Sequence, residues 1–312
     1  MPLVLIRTPT YRRPDLLRRA LHCLQAQTHQ EWICEIRDDC PEGSARSVVE
    51  ELADPRIRHV PNARQKFLVK NLDDCFLRDN PYGADYFYML EDDNQVLPDF
   101  LARGCDILGQ TGLGICQINQ LIEHRDDPQN AYIGNHGIFD DIYDERVHQP
   151  HELRLALLGG VGISNGAVFW SKNIRRELAF KTDTIPALDE PIRTLMTEEP
   201  VYISREPLAI WAKSESSTSR NLGLKNSQIR REMDLKKSLS QIRCSVWAQT
   251  PVDMRDAFME GGIIRLPLMH RLKAMKQAGI LIPDIDLGLR KQARRLAVRW
   301  FGKTHPSLQQ FI

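Results

Sequence analysis

The run Asp85-Tyr86-Phe87-Tyr88-Met89-Leu90 is aromatic and apolar, and it stops at Glu91-Asp92-Asp93-Asn94. Three adjacent carboxylates at the end of a buried strand repel one another unless a cation sits among them. Such a cluster suits a hard divalent cation, which takes oxygen ligands and can lie over phosphates to offset their charge. Acidic residues also end strands as turn formers and helix caps, so the triplet alone leaves both readings open. A histidine-rich stretch, with His124, His136, His148 and His151, invites a zinc reading. Its spacing matches no standard ligand pattern and only His148-x-x-His151 comes close, so an irregular surface loop over 123–152 is the better expectation.

The carboxylates need a frame to hold them, and the first hundred residues supply one. Leu3–Ile6 reads as a strand, and Pro14 opens a helix with Leu16, Leu17, Ala20, Leu21 and Leu24 on one face. Trp32–Ile36 is a second strand, ending in the turn Arg37-Asp38-Asp39-Cys40-Pro41. Ser44–Leu52 is a helix, Ile57–Val60 a strand, Lys66–Leu77 a helix, and Asp85–Leu90 the acidic-ended strand. A helix from Pro98 to Leu108 and a strand over Leu113–Ile118 follow. This alternation implies an α/β fold with a mostly parallel sheet and helices on both faces, whose ligands bind at the carboxyl ends of the strands. Thr8, Pro9, Thr10 and Tyr11, then Asp38 and Asp39, then Glu91–Asp93 would therefore share one edge. No G-x-G-x-x-G or G-x-x-x-x-G-K-[ST] loop follows the first strand, which argues against a dinucleotide or P-loop cradle. Gly159-Gly160-Val161-Gly162-Ile163-Ser164-Asn165-Gly166 precedes a strand at Ala167–Trp170; its glycines serve close backbone approach to a ligand or a tight turn with a bulge.

A chain of 312 residues accommodates one large α/β domain or a domain with an appendage. Its seven cysteines are scattered, odd in number and without a C-x-x-C pair, as expected of reduced thiols in a cytoplasmic protein. Met1–Ile6 is too short for a signal peptide or a membrane span. The net charge of +1 conceals an asymmetry: from Asn221 onward there are about 17 Lys/Arg against about 7 Asp/Glu, roughly +10, leaving roughly −9 before it. Leu289–Phe301 is a basic helix with Leu289, Ala293, Leu296/Ala297 and Trp300 on one side. It reads either as a membrane-surface helix or as one packed on the body or on a partner subunit.

At these residues the chain resembles family 2 glycosyltransferases of the GT-A fold. Val4-Leu5-Ile6-Arg7-Thr8-Pro9-Thr10-Tyr11-Arg12-Arg13-Pro14 is similar to their opening strand and loop, and Leu21-x-x-Leu24-Gln25-Ala26-Gln27-Thr28 to the end of their first helix. Trp32–Asp39 resembles their second strand with its acidic pair, and Glu91-Asp92-Asp93-Asn94-x-x-x-Pro98-Asp99-x-Leu101 their DXD-type segment. The resemblance implies a Rossmann-like GT-A domain over 1–220, with a nucleotide-binding half (1–118) and an acceptor half (119–220), followed by a basic helical region (221–312). It implies a sugar transfer from a nucleotide-sugar, UDP-linked by preference, to a hydroxyl of a saccharide or glycolipid in polysaccharide biosynthesis, by metal-assisted single displacement with inversion.

The same resemblance assigns roles. Thr8, Pro9 and Tyr11 line the base pocket, with Tyr11 stacking on the base. Asp38 or Asp39 accepts from the base's ring N–H, Asp39 being preferred. Arg64 or Lys66 supplies a cation near the diphosphate. Asp92 contacts the ribose or supports the metal; Asp93, with Glu91 as the less certain partner, ligates Mn²⁺ or Mg²⁺. Asp189 is the first choice for the base that takes the acceptor's proton and Glu190 the second, ahead of Asp183, Glu198 and Glu199; alternatively Asp189 and Glu190 merely open a helix at Pro191. Asn165 and Trp170 fall on the acceptor side. Many members carry a histidine in a segment like Ile210–Ser219; this chain has none, and Lys213, Ser214 or Glu215 stands there instead. The implied partners include no nucleic acid, but do include peripheral contact with the inner face of a membrane through the basic helices, and a homo-oligomer. A sugar-nucleotide pyrophosphorylase lacks support because the opening loop has no glycine. A catalytically silent GT-A binding protein is the remaining alternative.

Overall fold

The computed structural model describes residues 1–125, 130–213, 226–280 and 288–312. Strands β1 (Val4–Thr10), β2 (Trp32–Asp38), β3 (Ile57–Pro61) and β4 (Tyr86–Met89) lie side by side in the order β3-β2-β1-β4, all parallel. They are linked by α1 (Pro14–Gln25), α2 (Arg46–Leu52) and α3 (Phe67–Asp73). Because helices cover both faces, the strands carry apolar residues on both sides, and these sort by parity. Val4, Ile6, Cys34, Ile36 and Tyr88 pack on Leu17, Leu21 and Leu24 of α1, whereas Leu5, Phe87 and Met89 face Leu72 and Phe76 on the other side.

The second half contributes β5 (Gln95–Val96), α4 (Phe100–Thr111), β6 (Ile115–His124), β7 (Tyr132–Gly137), β8 (Arg146–His148), α5 (Pro150–Ala156), β9 (Val168–Ser171), α6 (Asp189–Met196) and β10 (Val201–Lys213). The four N-terminal strands and the long β6–β10 ladder pair in parallel, while the short β5, β7, β8 and β9 pair antiparallel, so the ten-stranded sheet is mixed with its longest ladders parallel. β9 enters between β4 and β6 antiparallel to both. A long-range contact accounts for this: Tyr88 Oη donates to the Gly166 carbonyl at 2.9 Å, so the chain before β9 already sits at the carboxyl edge of β4 and the strand runs back from it.

Two expectations need correction. β1 continues through Thr10, so Thr8 and Pro9 are strand residues and not loop. The stretch 123–152 is no single loop, since it holds the end of β6 with β7 and β8. Polar residues disguised it. Asn119 and Gln120 are buried in β6 because partners satisfy them, as when Asn119 Nδ2 donates to Asp140 Oδ1 at 2.9 Å and to the Arg205 carbonyl at 3.0 Å.

After β10 come α7 (Asn226–Gln249), α8 (Val252–Glu260), α9 (Leu268–Ala278) and α10 (Leu289–Phe301). Ile242, Val246, Phe258, Ile264 and Met275 join Leu157, Leu158 and Ile192 in one apolar cluster, so α7–α9 share the core of the body. No helix among the described residues is long and apolar enough to cross a membrane. The seven cysteines are unpaired. His148 is buried with Nε2 3.0 Å from the Asp144 carbonyl while His151 is exposed, and no cluster of three metal-ligating side chains occurs among the described residues.

Candidate active site at the carboxyl edge of the sheet

The acidic strand end is neutralised from within. The Arg13 guanidinium, just before α1, lies 2.5 Å from Asp92 Oδ1 and 2.9 Å from Asp93 Oδ2. Thr10 Oγ1, at the end of β1, donates to Asp92 Oδ2 at 2.7 Å. Arg19 donates to the Asp93 carbonyl at 2.7 Å while pairing with Glu123 at 2.8 Å. Burial pushes the Asp92 carboxyl up to about 7, against the pull of Arg13. Glu91 is driven well above the usual carboxylate range, first by burial and then by Asp93, Glu190, Asp189 and Asp92. The carboxylates of α6, about 100 residues further along the chain, thus act electrostatically on the acidic end of β4. Asn94 donates to Glu91 Oε2 at 2.6 Å and accepts from the Ala212 N–H at 2.9 Å, which ties the end of β10, and with it half-buried Lys213, to the same place. Glu215 lies outside the described residues.

At the ends of β1–β3 the two aspartates differ. Asp38 is fully buried and accepts from the N–H groups of Cys40 and Ala45, with His59 Nε2 3.0 Å away, so it holds its own turn. Asp39 accepts from Asn62 Nδ2 at 2.8 Å and from the N–H groups of Lys66 and Phe67 at 2.7 and 2.8 Å, shaping the entry to α3. Phe67 there takes a left-handed φ of 64° and is 69% exposed. A side chain held so at a sheet edge is strained and kept in place by the contacts to Asp39. The Thr8 side chain is enclosed, 3.6 Å from Cys34 Sγ, and Pro9 is buried, so neither presents a side chain to a pocket. Tyr11 is exposed at this edge as well, with the Arg12 guanidinium 5.3 Å from its ring centroid. Lys66 Nζ is engaged by Asp74 at 2.5 Å; Arg64 stands exposed on the loop before α3.

Asn165 organises the acceptor side. Its N–H donates to Glu190 Oε1 at 2.8 Å, its Nδ2 donates to Asp189 Oδ2 at 3.0 Å, and its Oδ1 accepts from Arg193 Nε at 2.9 Å. Arg193 is fully buried over the Phe76 ring and pairs with Asp73 at 3.4 Å, which also accepts from the N–H groups of Phe180 and Lys181. Asp189 also accepts from the Glu190 N–H at 2.9 Å and so is spent on the start of α6. Glu190 is half-buried, and burial with Asp189 beside it raises its carboxyl to about 7. Gly166 closes this loop on the acidic end: a Cβ there would lie 2.8 Å from Gln120 Nε2 and 3.3 Å from Asn94 Nδ2. Beyond Glu190, a cavity of about 160 Å³ is lined by Gly160, Val161, Gly162, Pro191, Ile242 and Arg243.

Trp170 does not belong to this edge. It is buried, stacked on Phe76 and Phe87 at 5.1 and 5.8 Å, and is a core residue. Glu198 pairs with Arg176 on the surface, Glu199 accepts from the Arg175 N–H, and Asp183 is exposed. Arg13, Arg193 and Asp73 escaped the sequence reading; only Arg13 had a signal, being a cation in the opening loop facing an acidic strand end that needs one.

The donor set fits a hard cation in one way. Asp92 is held by Arg13 and Thr10, but Asp93 Oδ1 accepts no hydrogen bond from the described residues and its side chain is partly exposed. One carboxylate oxygen, completed by diphosphate oxygens and water, is an arrangement a Mg²⁺-like cation tolerates.

Residues 6–161 match the glycosyl transferase family 2, half of the chain, and the chain belongs to that family. It is a glycosyltransferase. No curated protein matches it significantly. Among solved structures it is similar to S. aureus TarS 1–349 in complex with UDP-GlcNAc, at TM-score 0.57 and 10% identity over 95% of this chain and 79% of that one. It is also similar to TarS 1–349 in complex with UDP, at TM-score 0.52 and 9% identity over 95% and 88%. At such identities the likeness is one of fold, the GT-A arrangement with C-terminal helices.

Proposed function

We propose that the protein is an inverting transferase that moves a sugar from a nucleotide-sugar, UDP-linked by preference, to a hydroxyl of a saccharide or glycolipid. The observation that carries this is Glu190: a carboxyl raised to about 7, held by the Asn165 N–H and within electrostatic reach of Glu91 at the acidic end of β4. A general base is most effective with its pKa near the working pH, and this one stands between the strand end suited to a diphosphate and a cavity suited to an acceptor.

In this reading Glu190, not Asp189, takes the acceptor hydroxyl's proton as the oxygen attacks the anomeric carbon opposite the departing nucleoside diphosphate. Asp189 positions Asn165 and the first turn of α6. Tyr11 stacks on the base, and Asp39 directs the Asn62–Phe67 loop around it, with Phe67 as a second exposed ring. Arg64 and Lys213 offer positive charge to the phosphates. A divalent cation bound at Asp93 would supply charge neutralisation for the leaving diphosphate. Arg243 and the Gly160–Gly162 backbone bound the acceptor cavity. UDP is the favoured nucleotide because the fold neighbour binds UDP-GlcNAc and UDP.

The test is a panel of nucleotide-sugars and nucleoside diphosphates scored by thermal stabilisation with Mn²⁺ or Mg²⁺, followed by donor hydrolysis. One base should stand out, stabilising the chain by roughly RT ln(1 + [L]/Kd). No stabilisation by any member of the panel would remove the reading.

A further inference from the structure

Among the described residues, helix α10 is docked by one side only. Val298 is buried, the pair Arg294–Glu232 joins α10 to α7, and the Lys303 N–H donates to Asp234 Oδ1 at 2.7 Å just beyond the helix. At 3.6 residues per turn, Leu289, Ala293, Leu296 and Trp300 form a stripe opposite Val298. Leu289, Leu296 and Trp300 are 87%, 55% and 75% exposed. The helix carries Arg290, Lys291, Arg294, Arg295 and Arg299 and no acidic residue.

Between α7, the end of α9 and the side of α10 that carries Val298, Arg295 and Arg299 lies a cavity of about 360 Å³. Lys237, Arg295 and Arg299 line it, with no carboxylate among its lining residues. These three cations form no ion pair among the described residues.

We propose that α10 lies on an anionic phospholipid surface, its outward stripe in the headgroup–acyl boundary and a lipid phosphate in the basic cavity. A second copy of the chain would cover the stripe equally well in apolar terms, but it would bring two acid-free basic helices together. An anionic bilayer instead complements them, and an exposed tryptophan at the end of such a helix suits the interface. The proposal does not depend on which sugar, if any, the sheet edge transfers.

The test is co-sedimentation of the full chain with vesicles of phosphatidylglycerol and phosphatidylcholine against phosphatidylcholine alone. Binding to the anionic vesicles should exceed binding to the neutral ones by about tenfold or more. Leu296→Glu and Trp300→Glu, both at exposed positions, should lose most of it with unchanged circular dichroism. The double variant Arg295→Gln/Arg299→Gln should weaken it several-fold while leaving donor hydrolysis unchanged. Equal binding to both vesicle types, or none, overturns the proposal. So does a wild-type dimer in sedimentation velocity that Trp300→Glu abolishes, which would assign the stripe to a second copy. Displacement from vesicles by millimolar inorganic phosphate, but not by potassium chloride of equal ionic strength, would assign the cavity to free phosphate.

Discussion

Arg13 stands 2.5 Å from Asp92 Oδ1, so the residue that opens the first helix neutralises the end of the fourth strand. The same guanidinium reaches Asp93, the carboxylate with an oxygen to spare for a cation. A fixed positive charge beside a metal ligand competes with the metal. Arg13→Gln should therefore bind Mn²⁺ more tightly than the wild type, by about tenfold, as read from free Mn²⁺ by electron paramagnetic resonance on the protein without nucleotide. An unchanged or weaker affinity would mean that Asp93 is not the ligand.

The raised carboxyls set a pH dependence. Asp92 titrates at about 7 in the folded chain, against about 3.9 for an unfolded aspartate. Between those values the folded state holds a proton that the unfolded state has released, so this group's contribution to stability falls as pH rises from about 4 to about 7 and is constant above. Asp92→Asn cannot ionise. Its melting temperature relative to wild type should rise steadily between pH 5 and 7.5 in metal-free buffer; a constant difference would place the proton elsewhere.

Trp170 has a core role and no acceptor role. Trp170→Ala removes the ring stacked between Phe76 and Phe87 and should lower unfolding stability by about 3–5 kcal/mol in urea denaturation. A variant of native stability with a raised acceptor KM would return the residue to the acceptor side.

Much of the frame was legible because both faces of the N-terminal sheet are buried. Val4-Leu5-Ile6 and Phe87-Tyr88-Met89 are unbroken apolar runs, and the turn of each strand into polar residues marks the ligand edge. The direction of β9 was not legible, because it depends on where Gly166 docks against Tyr88, a contact 78 residues apart. β6 was cut short since Asn119 and Gln120 look like loop residues until Asp140 and Ser164 are seen to satisfy them. Within the acidic pairs, neighbours in sequence have different partners. Asp38 holds a turn while Asp39 shapes the α3 loop, and Asp189 accepts from the Glu190 N–H in the first turn of α6 while Glu190 accepts from the Asn165 N–H. Residue type and spacing offered Asp38 with Asp39, and Asp189 ahead of Glu190, Asp183, Glu198 and Glu199; the partners of each, such as Asn62 on Asp39 and the Asn165 N–H on Glu190, depend on contacts distant in sequence.

The role of Glu190 as the base is read from kcat of Glu190→Gln beside Asp189→Asn, each with the donor dissociation constant determined. Glu190→Gln should lose about 10²–10⁴-fold in kcat with donor affinity within a few-fold of wild type, and it should lose the rise in rate that the wild type shows through pH of about 7. Asp189→Asn should retain that rise. If Glu190→Gln turns over at near the wild-type rate, or if Asp189→Asn alone abolishes the pH-dependent rise, the assignment is contradicted.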